Sequence, residues 1–394
     1  MTVSALSVRG LTLCITATAA AFLGGAPPAA ATPSVTITPV VGGLAAPRGI
    51  AFDGEGSMYV AESGVIGDGP AGLTHSGRVD KWAAGSTTKS WSTQFDSLYA
   101  TEDPSAPPDV LGPAGLSAMG SGCMRNSNGV RKACQVLTIL SESTAGVAAD
   151  GGGAAPQAGH LFRLDGATGT ATDVTDFGDQ MYQWTGDHSS LFEDDFPDSN
   201  PYGVLVTRGV GGGIRTFLAD AGANTISEVM PDGTARIVAY IPNEAAPPFR
   251  DATPTCIAAG PDGYLYVGTL HFVANLFFPG AGGMSDVWRI NPDASYPAAP
   301  TLWASGLTTV TACTIDSSGN FWAAEMFAGG FAATPPGDVV RIPLSSPTTQ
   351  THFGAGQLPV PGGIAQGPDG AMYVTIGSSA PGVNGAVVRL AVTG

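Results

Sequence analysis

Short apolar runs, broken at regular intervals by Asp/Gly turns, set the rhythm of this chain. From Pro47 to Glu62 it reads PRGIAFDGEGSMYVAE: an apolar stretch, a polar turn, and a second apolar stretch ending in an acid. The unit recurs from Pro254 to Gly268 (PTCIAAGPDGYLYVG), from Pro361 to Thr375 (PGGIAQGPDGAMYVT) and, without its proline, from Val310 to Glu325 (VTACTIDSSGNFWAAE). Apolar runs this short, bounded by Gly, Pro and Asp, predict strands rather than helices. The turns at Asp53-Gly54, Asp262-Gly263 and Asp369-Gly370 predict Asp as the cap and the following Gly at positive φ. Beyond the first few residues no segment carries a helical period over a useful length.

The first strands begin at Pro47, Pro113, Pro201, Pro254, Val310 and Pro361, in steps of 66, 88, 53, 56 and 51 residues. A third-strand signal repeats independently at Gly77–Trp82, Gly159–Leu164, Asn224–Val229, Asp286–Ile290, Asp338–Ile342 and Gly385–Leu390. Both series give six units. A more polar fourth strand follows, as at Thr234–Tyr240 or Thr301–Ala304, but the sixth unit reaches Gly394 without one. Ser34–Val40 is a spare strand ahead of the first unit, and pairing it with the last would remove two exposed sheet edges. The expectation is an all-β chain: one six-bladed β-propeller over residues 32–394, its last blade closed by the N-terminal strand of the mature chain.

Composition changes the picture in three ways. Residues 1–31 read as a secretory signal peptide, with Arg9, an apolar stretch from Leu11 to Leu23 and Ala29-Ala30-Ala31 before Thr32, so the mature protein is expected outside the cell. A formal charge of −16, with three lysines in the chain, argues against nucleic acid and anionic membrane surfaces as partners. No other apolar run approaches transmembrane length, and the expected state is a monomer. With Cys14 in the leader, Cys123, Cys134, Cys256 and Cys313 remain, an even number in an oxidising compartment. Cys123 and Cys134 flank a polar turn and are expected to pair. Cys256 and Cys313 occupy first strands of neighbouring units one register position apart, and either pair or stay as two buried thiols.

In such a fold the ends of the second strands and the starts of the first strands share one face. Glu62, Glu142, Asp220, Thr269, Glu325 and Ile376 are therefore expected to ring the channel mouth. Arg48, Ala114, Tyr202, Thr255, Thr311 and Gly362 should lie close by. Arg48 and Arg250 offer guanidinium groups for a ligand carboxylate, or for Arg–acid pairs between blades. The segment Phe177–Asn200, with Trp184, His188, Phe192 and several acids, reads as a lid or ligand wall. Gly209–Gly213 reads as a hairpin turn, and nothing supports a Ser-His-Asp triad.

The motifs Ala46–Phe52, Asp198–Val204 leading to Ala219–Ile226, and Pro361–Leu390 resemble the ScyD/ScyE family of secreted bacterial proteins. That family is related to NHL-repeat and gluconolactonase/regucalcin-like six-bladed propellers. The resemblance covers most of residues 34–394 and implies the fold more firmly than any reaction. From regucalcin-like propellers it implies a divalent cation of the Ca²⁺ type at the mouth, held by carboxylate and amide oxygens. Glu62, Glu142, Asp220 and Glu325 are the carboxylates of the right type, and Asn200 and Asn224 the amides. His271 stands where the resemblance expects an acid near Thr269; with Glu325 it is the candidate water-activating residue. Two functions follow. One is a propeller binding a small molecule, glycan or protein at its mouth through Arg48, Tyr202, Asn200 and Arg250. The alternative is a metal-dependent lactone or ester hydrolase or lyase, in which the cation polarises a carbonyl.

Overall fold

In the computed structural model the described residues are 34–393 apart from 66–71, 101–108, 119–134, 150–153, 193–196, 210–211, 245–250, 272–282, 296, 329–336 and 380–381. Six antiparallel sheets follow one another along the chain. Their first strands are Pro47–Phe52, Pro113–Ala118, Pro201–Arg208, Pro254–Ala259, Val310–Ile315 and Ile364–Gln366. Each packs against the next and the sixth returns to the first, so the sheets are the blades of a closed six-bladed propeller. Blade 1 carries a short fifth strand, Asp109–Leu111. Blade 6 is completed by Ser34–Leu44, antiparallel to Gly385–Thr393 with Val35 opposite Val392 and Ile37 opposite Leu390. The spare strand therefore closes the ring, and it runs four residues further than its apolar pattern marks.

Glycine two residues after the first-strand proline in blades 1, 2, 3 and 6 explains how the blades approach. A Cβ on Gly49 would lie 2.6 Å from the Ala114 carbonyl oxygen, one on Gly115 2.4 Å from that of Tyr202, and one on Gly203 2.7 Å from that of Thr255. Blade 4 has Cys256 at this position, and its sulfur bonds to Cys313 of blade 5 with Cα atoms 5.6 Å apart. A covalent link to blade 5 thus starts in blade 4 from the position where blades 1, 2, 3 and 6 carry glycine. Cys123 and Cys134 lie outside the described residues.

The turns opposite the mouth share one device. Asp53 accepts hydrogen bonds from the Glu55 and Ser57 N–H groups and from the Tyr59 hydroxyl. Asp316 does the same for Ser318, Asn320 and the Trp322 indole. In blades 4 and 6 the acid sits two places later in the turn, yet Asp262 and Asp369 still accept from Tyr266 and Tyr373. Positive φ falls on Gly263 and Gly370 as expected, but in blade 1 on Gly56 (81°) rather than Gly54. The left-handed glycine keeps the same place, nine residues after the first-strand proline, in blades 1, 4 and 6; because the blade-1 acid sits earlier, the glycine comes three places after it.

Helix is the one element the pattern of apolar positions does not anticipate. Phe177–Asp187 is an α-helix, α2, whose N-cap is Asp176 accepting from the Asp179 N–H. Phe177 and Met181 are its buried inward residues and join Leu137, Ile139, Leu161, Val204 and Leu218 between blades 2 and 3. Their spacing continues to Trp184, one apolar residue per turn, but the run is too short to stand out among Gly and polar neighbours. A second short helix, Thr144–Ala149 (α1), precedes it in the chain between blade-2 strands.

Candidate functional site

The first-strand residues after the proline position meet as expected. Arg48, Ala114, Tyr202, Thr255, Thr311 and Gly362 line one cavity in the channel. Its volume is about 70 Å³, well below the ~300–1,000 Å³ of a pocket that encloses a drug-sized ligand. A ligand of that size must rest on the mouth instead of entering the channel. Two of the six side chains tie blades together: Thr255 donates to the Val310 carbonyl at 2.7 Å and Thr311 to that of Pro361 at 3.0 Å. The two large ones form a pair. Arg48 donates to the Val110 carbonyl at 2.9 Å, and its guanidinium carbon lies 5.5 Å from the Tyr202 ring centre. Arg250 lies outside the described residues.

Three of the strand-end acids, Glu62, Asp220 and Glu325, hold backbone N–H groups just ahead of a first strand. Glu62 points back into its own blade, where its carboxylate accepts the Ala45 N–H at 2.5 Å. Asp80 of the third strand stands beside it, and Lys89 of the fourth reaches both carboxylates, with Nζ 3.6 Å from Glu62. Burial, and then the neighbouring Asp80, push the Glu62 carboxyl up to about 8 against the pull of Lys89. Glu325 repeats the arrangement: it accepts the Thr308 N–H at 2.6 Å and faces Asp338 of the third strand and His352 of the fourth. Burial and then Asp338 raise its pKa well above the ordinary value. Ala45 and Thr308 each come two residues before a first strand, so both acids fix the chain's entry into the channel wall.

Asp220 does the same in blade 3. It accepts from the Ser199 hydroxyl at 2.7 Å and from the N–H groups of Asn200, Gly222 and Ala223 at 2.8, 3.1 and 2.9 Å. Glu142 follows the second strand of blade 2 with φ 68°, and its N–H points to the Asn200 side-chain oxygen at 3.4 Å. Asn224 donates to Asn243 and accepts the Thr253 N–H, bridging blades 3 and 4. His271 is buried, 2% exposed, with Nε2 3.6 Å from Asp286, and is not among the cavity-lining residues.

Glu62, Glu142, Asp220 and Glu325 belong to four blades, and among the described residues no three of them bring their carboxylate oxygens within 4.8 Å of one another. Among the described residues, a single group of three acid or imidazole side chains brings its ligand atoms within 4.8 Å of one another: Glu325, Asp338 and His352. Asp338 and His352, like Asp80 and Lys89 in blade 1, are not marked by the sequence pattern as site residues. The available signal was the acid at the head of the third strand, Asp286 and Asp338, directly across from the end of the second.

No known protein family matches the chain, and no curated protein does. Among solved structures, a protein assigned as a glucose dehydrogenase-type oxidoreductase from Thermus thermophilus is similar with 15% identity and a TM-score of 0.50, over 91% of this chain and 100% of that one. A streptogramin B lyase has 15% identity and a TM-score of 0.45, over 92% and 98%. A protein assigned as a gluconolactonase has 12% identity and a TM-score of 0.46, over 93% and 94%. At 15% identity the first of these similarities speaks for the propeller fold alone.

Proposed function

We propose that this is a secreted, monomeric propeller of the ScyD/ScyE kind that binds a small molecule, glycan or protein segment across its channel mouth, with Arg48 and Tyr202 as the recognising pair. The observation that carries the reading is their placement: a guanidinium and a phenol side by side on the wall of the channel cavity. Such a pair suits a ligand that presents a carboxylate or hydroxyls together with a flat face. The inter-blade disulfide agrees with an oxidising compartment. Among the described residues no helix is long and apolar enough to cross a membrane.

The hydrolase alternative needs Glu62, Asp220 and Glu325 around one cation, whereas each of these carboxylates holds backbone N–H groups in its own blade. Binding is therefore the better supported reading. Its test is a thermal-shift screen of the mature protein with small carboxylates, lactones and oligosaccharides, repeated on Arg48→Gln and Tyr202→Phe. The expected result is a ligand class whose affinity falls at least about tenfold in either variant, roughly 1.4 kcal/mol. Ligands that bind wild type and both variants equally would place recognition elsewhere. Turnover of a lactone with no measurable binding defect in Arg48→Gln would favour the hydrolase.

A further inference from the structure

Blades 1 and 5 pose the same electrostatic problem and answer it differently. In each, an acid ending the second strand is buried beside an acid of the third: Glu62 with Asp80, and Glu325 with Asp338. Two buried carboxylates at contact distance cannot both stay charged without a cation or a shared proton. Blade 1 supplies the cation covalently, through the ammonium of Lys89. Blade 5 has no ammonium at its pair among the described residues. His352 takes that place, with Nδ1 2.9 Å from Asp338 Oδ2 and 3.9 Å from Glu325 Oε2.

A second observation is independent of the clustering. Asp338 has a side chain 3% exposed, and its Oδ1 accepts no hydrogen bond among the described residues. Leaving a carboxylate oxygen buried and unsatisfied is unfavourable unless another group answers it. Its Oδ2 is hydrogen-bonded to His352 Nδ1 at 2.9 Å, so the carboxylate has one oxygen paired within the group and one left unanswered. The half-exposed imidazole, 47% accessible, leaves the cluster open to solvent on one side.

We propose that Glu325, Asp338 and His352 form a binding site for a divalent transition-metal cation of the Zn²⁺ or Mn²⁺ type. Two carboxylates and a neutral imidazole around a doubly charged ion sum to zero, the balance that Lys89 helps to supply in blade 1. Ligands at about 2.0 Å in a tetrahedral set stand about 3.3 Å apart, and the spacings of 2.9 and 3.9 Å to Nδ1 bracket that value. An imidazole donor favours these ions over Ca²⁺, which prefers six or more oxygens. The site lies within one blade and uses neither Arg48 nor Tyr202, so it is independent of the ligand-binding proposal.

The test is calorimetric titration of the EDTA-treated mature protein with Zn²⁺, Mn²⁺ and Ca²⁺. The variants are His352→Gln, Asp338→Asn and His352→Lys, each checked by its melting curve. The expected result is one equivalent of Zn²⁺ or Mn²⁺ in wild type, with affinity at least about tenfold weaker in His352→Gln and Asp338→Asn. His352→Lys installs the ammonium found in blade 1, so it should keep its metal-free melting temperature and lose binding. Should Asp338→Asn fail to fold, the two His352 variants decide. The proposal is overturned if wild type binds neither ion at concentrations on the order of 1 mM, if Ca²⁺ alone binds, or if both His352 variants retain wild-type affinity.

Discussion

A single carboxylate can hold a blade junction together. Asp220 is fully buried and satisfies three backbone N–H groups and one hydroxyl where the chain enters the first strand of blade 3. Asp220→Ala strands those donors away from water, and each orphaned buried donor costs about 1–3 kcal/mol. We expect a loss of about 3 kcal/mol or more, read from chemical denaturation, whereas an effect under about 0.5 kcal/mol would show that the donors find other partners. The acid at position 220 is plain in the sequence. Which groups it would face was not, because the donors come from Gly222 and Ala223 just after it and from Ser199 and Asn200 some twenty residues earlier.

At the scale of the element, α2 shows how an insertion becomes part of the fold. Its N-cap Asp176 also faces His160, whose pKa is raised to about 9, chiefly by Asp176 and with help from Asp173, against the opposing effect of burial. Asn caps a helix about as well as Asp but carries no charge. Asp176→Asn should therefore keep α2 while the His160 pKa drops by roughly one unit or more, measurable by NMR titration. An unchanged His160 titration would mean that Asp173 alone sets it. This coupling is hidden at the level of sequence, where the helix reads as a loop and His160 as an ordinary strand residue. The blade turns are far more legible: an acid, a glycine and an aromatic residue recur locally, and their hydrogen bonds span at most six residues.

For the whole molecule, ring closure and charge decide stability. Removing residues 34–44 would expose the edge of Gly385–Thr393 and the side chains that Val35 and Ile37 cover in the last blade. Such an edge is a template for association. The shortened protein should melt lower and elute as aggregates in size-exclusion chromatography, and a monomer of unchanged melting temperature would contradict closure as the stabilising device. The pH dependence follows from shifts of opposite sign. Glu62 at about 8 and His160 at about 9 bind protons more tightly in the folded state. Their contribution is complete below the ordinary values and is lost as pH rises toward these raised ones, by up to roughly 1.4 kcal/mol per unit for one group. Asp262, Asp316 and Asp369 are lowered by their hydrogen bonds, against the opposing effect of burial, so their contribution disappears as pH falls below the ordinary carboxylate range. The melting temperature should peak in mildly acidic solution, near pH 4–5, and decline toward pH 8. A maximum at or above pH 7 would show that the raised groups do not govern stability.

What the sequence determined by itself is the repeat: the succession of strands, the acid-and-glycine turns, the number of blades and the strand that closes them. All of these rest on interactions within a unit or on a period counted along the chain. Only the tertiary structure decided where the strand-end acids point, that Cys256 reaches Cys313, and that Glu325 meets Asp338 and His352. The physical reason is distance along the chain. A side chain's partner across a twisted sheet or a blade junction is set by register, bulges and loop length, and a shift of one residue sends it to the opposite face.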